Sequence, residues 1–210
     1  MAASTPASAP GSTRERILDA AMELFGRHGF GGTSVAQIER AAGLTPGAGG
    51  IYHHFRTKES LLEAGIERHL SRLDALRDIQ RLFTGIGDLR AELTLTARYA
   101  LAELDREADL LRIVATEARS RPELLDAAIE ALVRNTYAGF AGWLRERAEL
   151  APERAEALAA VGLGALFSTR LLRVLLTRDP LAVTDEVFVR TWVEMMHAQL
   201  GAPERPAGQS

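Results

Sequence analysis

From Thr13 to Leu200 apolar positions recur three and four residues apart, with polar groups between them and few breaks. Ile17, Ala21, Leu24, Phe25 and His28 share one helical face, since residues at that spacing stack on one side of a 3.6-residue turn. Ser12 and Glu15 have the spacing of a capping box ahead of this face, and Gly29 follows it as a stop. The pattern then repeats in less space. Thr33 or Ser34 caps a second, short helix with Val35, Ile38 and Ala42 on its apolar face and Gly43 at its end. Thr45 caps a third start, with Pro46 at the first helical position, where the missing amide does no harm. Thr57, Lys58 and Glu59 open a longer fourth helix carrying Leu61, Leu62, Ile66, His69, Leu70, Leu73 and Leu76.

Beyond Asp88 the period remains helical and no stretch alternates as a strand would. The spacing predicts helices over Asp88 to Arg106, Ala108 to Arg119, Pro122 to Glu149, Pro152 to Thr177 and Thr184 to Leu200, with Pro122, Pro152 and Pro180 marking boundaries. The expected fold class is all-α. An amino-terminal three-helix domain containing a helix-turn-helix, residues 13–58, precedes a larger helical domain, 59–200, between an arm at 1–12 and a tail at 201–210 that are both expected to be disordered. In a helix-turn-helix the second helix can enter the DNA major groove.

Composition narrows the chemistry. The chain has no cysteine, which removes disulfides, thiolate metal sites and cysteine nucleophiles, and fits a reducing cytoplasm. The opening MAASTPASAPGS lacks a basic start and an apolar stretch, so it does not read as a secretory signal. The uncharged, largely apolar run Ala157 to Thr169 is shorter than the roughly 18 apolar residues of a membrane span. Charge is divided unevenly: six basic residues against four acidic ones up to Lys58, a balance of +2, and 19 against 24 afterwards, a balance of −5. A basic module ahead of an acidic body implies an anionic partner for the first part.

The segment TPGAGGIYHHFRTK, Thr45 to Lys58, carries the candidate chemistry. A Walker-type phosphate loop needs lysine directly after its glycines, between a strand and a helix, whereas Lys58 lies well downstream and no strand precedes Gly47. His53 and His54 are neighbours and diverge by about 100° on a helix, so they cannot share a metal without a third strong ligand; no metal site and no cofactor is expected. Contact with nucleic acid accounts for more of the residues. Gly47, Ala48, Gly49 and Gly50 let backbone approach a phosphate or base edge. Tyr52, His53 and His54 offer donors, and Lys58 sits in a first helical turn where ammonium and amides can hold a phosphate together. Ile51 and Phe55 are expected to pack inward.

TRERILDAAMELFGRHGFGGTSVAQIERAAGL followed by IYHHFRTKESLL resembles the amino-terminal DNA-binding domain of the TetR family of transcriptional regulators. Its marks are Gly29-Phe30, Thr33-Ser34-Val35, Ile38, Ala42-Gly43, Tyr52, His54, Phe55 and Lys58. Gly43 to Tyr52 is two residues longer than is usual there, and resembles the subgroup with a PGAGG(L/I)Y recognition segment, so an altered start to the third helix is expected. The resemblance implies that Thr33, Ser34, Tyr52, His54 and Lys58 hold phosphates while Thr45, Gly47, Ala48 and His53 face the groove. None of these is an arginine suited to guanine, so Arg40, backbone contacts or DNA shape are expected to contribute to specificity.

For the body, the resemblance implies a homodimer formed by the last two long helices and a pocket for a small, largely apolar ligand. Leu158, Val161, Gly162, Ala165 and Leu166, with Val189, Trp192, Val193 and Met196, are the expected interface; Leu95, Tyr99, Asn135, Tyr137, Phe140 and Trp143 are the candidate pocket lining. The implied function is a repressor on a palindromic double-stranded DNA operator, cytoplasmic and without a membrane partner. No nucleophile elbow, metal constellation or cofactor fingerprint suggests an enzyme. The alternative is a helical adaptor indifferent to DNA.

Overall fold

The computed structural model describes residues 12–69, 88–176 and 181–201. All regular structure among them is helical. They fall into two compact units that divide at Arg68, whereas the expected division at residue 58 lies at the start of a helix. Most of the expected arm and all of the expected tail but Gly201 lie outside the described residues, as do Leu70, Leu73 and Leu76.

In the first unit, α1 spans Thr13–Gly32 and starts on the full capping box: Ser12 Oγ accepts from the Glu15 amide at 3.3 Å, and the Glu15 carboxylate accepts from the Ser12 amide at 2.8 Å. Gly29 interrupts α1 at φ 72°, so the chain turns where the expected stop lies. Helix α2, Val35–Ala41, is capped by Ser34, with Gln37 closing a second capping box. The described part of α3 covers 58–69. Ile17, Leu18, Phe25, Phe30, Ile38, Ile51, Leu61 and Leu62 are fully buried, and the rings of Phe25 and Phe30 meet at 5.1 Å. Arg68 on Asp19 at 2.8 Å ties α3 to α1. Gly65 lets these helices approach closely: a Cβ there would stand 2.3 Å from the Met22 sulfur.

The second unit contains α4 (Leu89–Arg106), α5 (Ala108–Glu117), α6 (Pro122–Ala148), α7 (Pro152–Leu175) and α8 (Asp185–Leu200). Asp88 and Thr184 cap α4 and α8, and Pro122 and Pro152 open α6 and α7, as the spacing predicts. Helix α7 packs on α4, α5, α6 and α8, and α4 also packs on α8. Phe140 stacks on Trp143 at 5.6 Å and on Trp192 at 6.4 Å. The Trp192 indole donates to the Gly162 carbonyl at 2.8 Å. A Cβ on Gly162 would stand 3.1 Å from the Met196 sulfur.

Most residues of the expected dimer interface take part in this packing. Gly162, Leu166, Val189, Trp192, Val193 and Met196 are buried within their own chain, where α8 packs on α4 and α7. Leu158 and Ala165 are half-buried on the same cluster. Only Val161 of the nine is exposed, at 61%. An 18-residue window of α7 has mean hydropathy 1.6, enough by length and composition to cross a membrane, although its longest uncharged run is short.

Ion pairs select which helices meet. Arg147 holds Glu92 bidentately at 2.8 and 2.5 Å, joining α6 to α4. His69, counted with this unit, is buried with its Nδ1 against the Glu107 carboxylate. Arg170, 3% exposed, donates to Asp185 at 2.9 and 2.6 Å and to Asp105 at 3.0 Å, joining α7 to α8 and α4. The Arg170 hydrogen bonds hold the Asp185 carboxyl below its ordinary value, against the opposing effect of burial. A depressed native pKa contributes stability above the unfolded value, and that contribution is lost as pH falls through the native one. Asp185→Asn is therefore expected to lower the melting temperature at pH 7 and to matter progressively less below about pH 4, as followed by circular dichroism across pH. An equal loss at pH 7 and pH 3 would show that the charge is not what matters.

Candidate nucleic-acid interface

The segment expected to form a third α-helix from Thr45 does not do so. After α2 the backbone turns at Gly43, makes a further turn over Thr45 to Ala48, and closes in a short 3-10 helix, Gly50–His53. Gly47 and Gly49 stand at φ 79° and 73°, values that break any helix and that L-residues with a Cβ rarely adopt. The capping signal of Thr45-Pro46 is overridden because four of the next five residues are small, and three are glycine, each glycine weakening a helix by about 1 kcal/mol.

What holds the segment is Glu39. Its side chain is fully buried, with Oε2 accepting from the Gly47 amide at 2.6 Å and Oε1 from the Ile51 amide at 3.5 Å. Leu44 covers Gly50: a Cβ there would meet Leu44 Cδ1 at 3.4 Å. Ile51 and Phe55 turn inward and are buried, with the Arg14 guanidinium 5.0 Å above the Phe55 ring. Tyr52 lies beside Gly49 and is 56% exposed. Arg40, Thr45, Gly47, Ala48, His53 and His54 are exposed as well, as are Arg56 and Thr57. Glu39 is not among the residues expected from the sequence, although a signal is present there. Val35, Ile38, Glu39 and Ala42 are spaced as one helical stripe, and an acid on a buried stripe requires hydrogen-bond partners.

Two expected phosphate contacts are committed internally. The Thr33 hydroxyl is buried and donates to the Gly29 carbonyl at 2.9 Å, with the Leu24 carbonyl at 3.1 Å. Lys58 Nζ donates to the carbonyls of Phe30 at 2.8 Å and Thr33 at 2.9 Å, and stands 4.2 Å from the centre of the Phe30 ring. The Phe30 carbonyl also accepts from the Thr33 amide at 3.4 Å, so the ammonium adds a charged donor where α1 ends. Two of its three donors are thereby used. Ser34, exposed, remains at the start of α2 with its oxygen in the capping box.

The expected pocket residues differ in their surroundings. Phe140 and Trp143 are core side chains stacked on each other. Leu95 and Asn135 are exposed, while Tyr99 and Tyr137 are half-buried. Burial, reinforced by nearby Glu103, pushes the Tyr99 phenol up. An open cleft of about 330 Å³ lies elsewhere in the body, lined by Arg98, Leu101, Ala102, Asp105, Arg170, Asp185, Glu186 and Val189. No cluster of metal-ligating side chains occurs among the described residues.

Fold and site together define a class: an all-helical chain in which a helix-turn-helix domain precedes a larger helical domain. Residues 17–64 match the family described as bacterial regulatory proteins, tetR family. Over 64 residues the chain is 44% identical to the HTH-type transcriptional regulator UidR of Escherichia coli, covering 29% of this chain and 32% of UidR. Over 68 residues it is 41% identical to the HTH-type transcriptional repressor AcnR of Corynebacterium glutamicum, covering 32% of each. The similarity thus spans about a third of the length of these curated relatives. A TetR-family structure from Mesorhizobium loti matches 90% of this chain and 95% of its own with a TM-score of 0.71 and 21% identity, a likeness of fold that extends through the body.

The role of Lys58 is separable by stability. Lys58→Met is expected to destabilise the unbound protein by about 2 kcal/mol, as the loss of hydrogen bonds from a charged donor implies. Urea unfolding of the DNA-free protein measures this. An unchanged midpoint would mean the lysine contributes nothing to the domain's own cohesion.

Proposed function

We propose that the protein is a sequence-specific DNA-binding transcriptional regulator that acts as a homodimer on a palindromic operator and answers to a small molecule. The observation that carries this reading is the exposed segment Thr45 to His54, held by a buried carboxylate within a domain that matches the tetR family. Arg40, Thr45, Gly47, Ala48, Tyr52, His53 and His54 are the residues available to DNA, with Ser34 and the remaining donor of Lys58 at the start of α2. The PGAGGIY stretch resembles the subgroup with a PGAGG(L/I)Y recognition segment, and in this chain the proposed reading element is built on turns and a short 3-10 helix. Repression is the simpler logic, in keeping with the AcnR name, and the expected location is the cytoplasm.

Dimerisation is supported by what α7 and α8 leave uncovered. Val161 and Leu175, two heptads apart on α7, are 61% and 55% exposed, and Val187 and Met195 on α8 are 42% and 55% exposed. Only 22% of the apolar α7 window is buried, so its outer face lacks a partner within the chain. A second copy covering both helices would remove this surface from water. Val161→Glu combined with Met195→Glu is expected to yield a folded monomer by sedimentation; an unchanged dimer would place the interface elsewhere.

The charged rim of the 330 Å³ cleft favours an effector with polar groups around an apolar centre over a wholly apolar one. Such a ligand lowers DNA affinity by the same factor by which DNA weakens ligand binding.

Selection from a random duplex library at physiological salt is the first test. An enriched palindrome with half-sites about one helical turn apart is expected, with affinity falling steeply as salt rises. Weak retention without enrichment would instead support a helical adaptor.

A further inference from the structure

We propose that Glu39 is the positioning residue of the DNA-reading segment, so that base preference, and not folding alone, depends on its buried carboxylate. The inference rests on the DNA-binding function proposed for this segment and goes further by assigning control of base reading to a side chain that is fully buried.

The segment cannot fix its own shape. Left-handed conformations at Gly47 and Gly49 remove the repeating amide-to-carbonyl ladder of a helix. Within the segment the backbone bonds are short-range: Ala48 to the Thr45 carbonyl, Tyr52 to the Gly49 carbonyl, and His54 and Phe55 to the Ile51 carbonyl. Glu39 supplies contacts that span the glycines, gripping Gly47 on one side with Oε2 and facing Ile51 on the other with Oε1. The Lys58 bonds go to Phe30 and Thr33 instead. Glu39 and exposed Arg40 are adjacent on α2, so one helical turn sends an acid inward to hold the loop and a cation outward. Thr45, Ala48, Tyr52 and His53 thereby take their positions from one carboxylate.

Charge and geometry predict opposite signs for one substitution, which separates the two effects. A carboxylate on a DNA-binding domain repels phosphates, so if charge alone mattered, Glu39→Gln would tighten binding to every duplex. A carboxamide has only one acceptor oxygen, and its NH₂ cannot receive an amide proton. It therefore releases one end of the loop, and recognition of a particular sequence should fall while non-specific attraction to phosphates stays the same or rises.

The experiment uses the full chain, the site enriched by wild type from the random library and a scrambled duplex of equal length, with folding followed by circular dichroism. Glu39→Gln is expected to melt above the assay temperature, to lose roughly tenfold or more in affinity for the selected site, and to hold the scrambled duplex at least as well as wild type. Gly47→Ala, which retains the carboxylate but strains the loop at φ 79°, should show the same loss of preference, and the double variant should lose less than the two effects combined. An unchanged ratio between selected and scrambled DNA in Glu39→Gln overturns the proposal, as does independent addition in the double variant. If Glu39→Gln does not fold, Gly47→Ala decides alone, and an intact preference there overturns it. A wild type with no preferred site overturns the regulator reading itself, a result distinguishable from preference that survives the substitution.

Discussion

A carboxylate excluded from water must be met by donors, and in the amino-terminal domain that requirement organises everything after α2. Burying Glu39 beside Ile38 obliges the chain to bring amides back across the face of α2, and the turns that do so take left-handed backbone at Gly47 and Gly49. The glycines are therefore consequences of the acid as much as of any ligand outside. Once Gly47 and Ile51 are placed, Ile51 and Phe55 fall into the core and the residues between and beside them are left on the surface.

The two units solve their polar problems differently. Short helices and tight turns leave many backbone groups without intrahelical partners, and the first unit answers with side chains that bond to backbone: Glu39 to amides, Thr33 and Lys58 to carbonyls. The body has long helices whose backbone largely satisfies itself. Its buried charged side chains pair with more exposed partners, Glu92 with Arg147 and Arg170 with Asp105 and Asp185. Such pairs add little net stability against an apolar alternative, but they reject mispaired arrangements of similar apolar helices.

Helix positions in the body were legible because proline, capping hydroxyls and a regular apolar period agree locally. The ends of α4, α6 and α8 lie within about one residue of the expected ones. Partners were not legible from the same signal. A stripe such as Val189, Trp192, Val193 and Met196 reads identically whether α7 of the same chain or a second copy covers it, and here the same chain does. In the first unit, Tyr52 and the histidines were legible as surface and Ile51 and Phe55 as core, since the glycines fix the phase of the residues after them. The form of the reading element was not, because Thr45-Pro46 is a helix start wherever the next residues can continue one. Thr33 and Lys58 illustrate the remaining gap: residue type shows what a group can bond to, while their distant partners, Leu24, Phe30 and the Thr33 carbonyl, emerge only from the turn at Gly29.

Lys58 is the only lysine in the sequence, and its amine is the one that closes the end of α1. Any acyl group placed on a lysine of this protein must therefore fall on this contact, removing the positive charge and the donors together. Side-chain amine chemistry on this chain thus has a single address, and a group attached there marks the junction between α1 and α2.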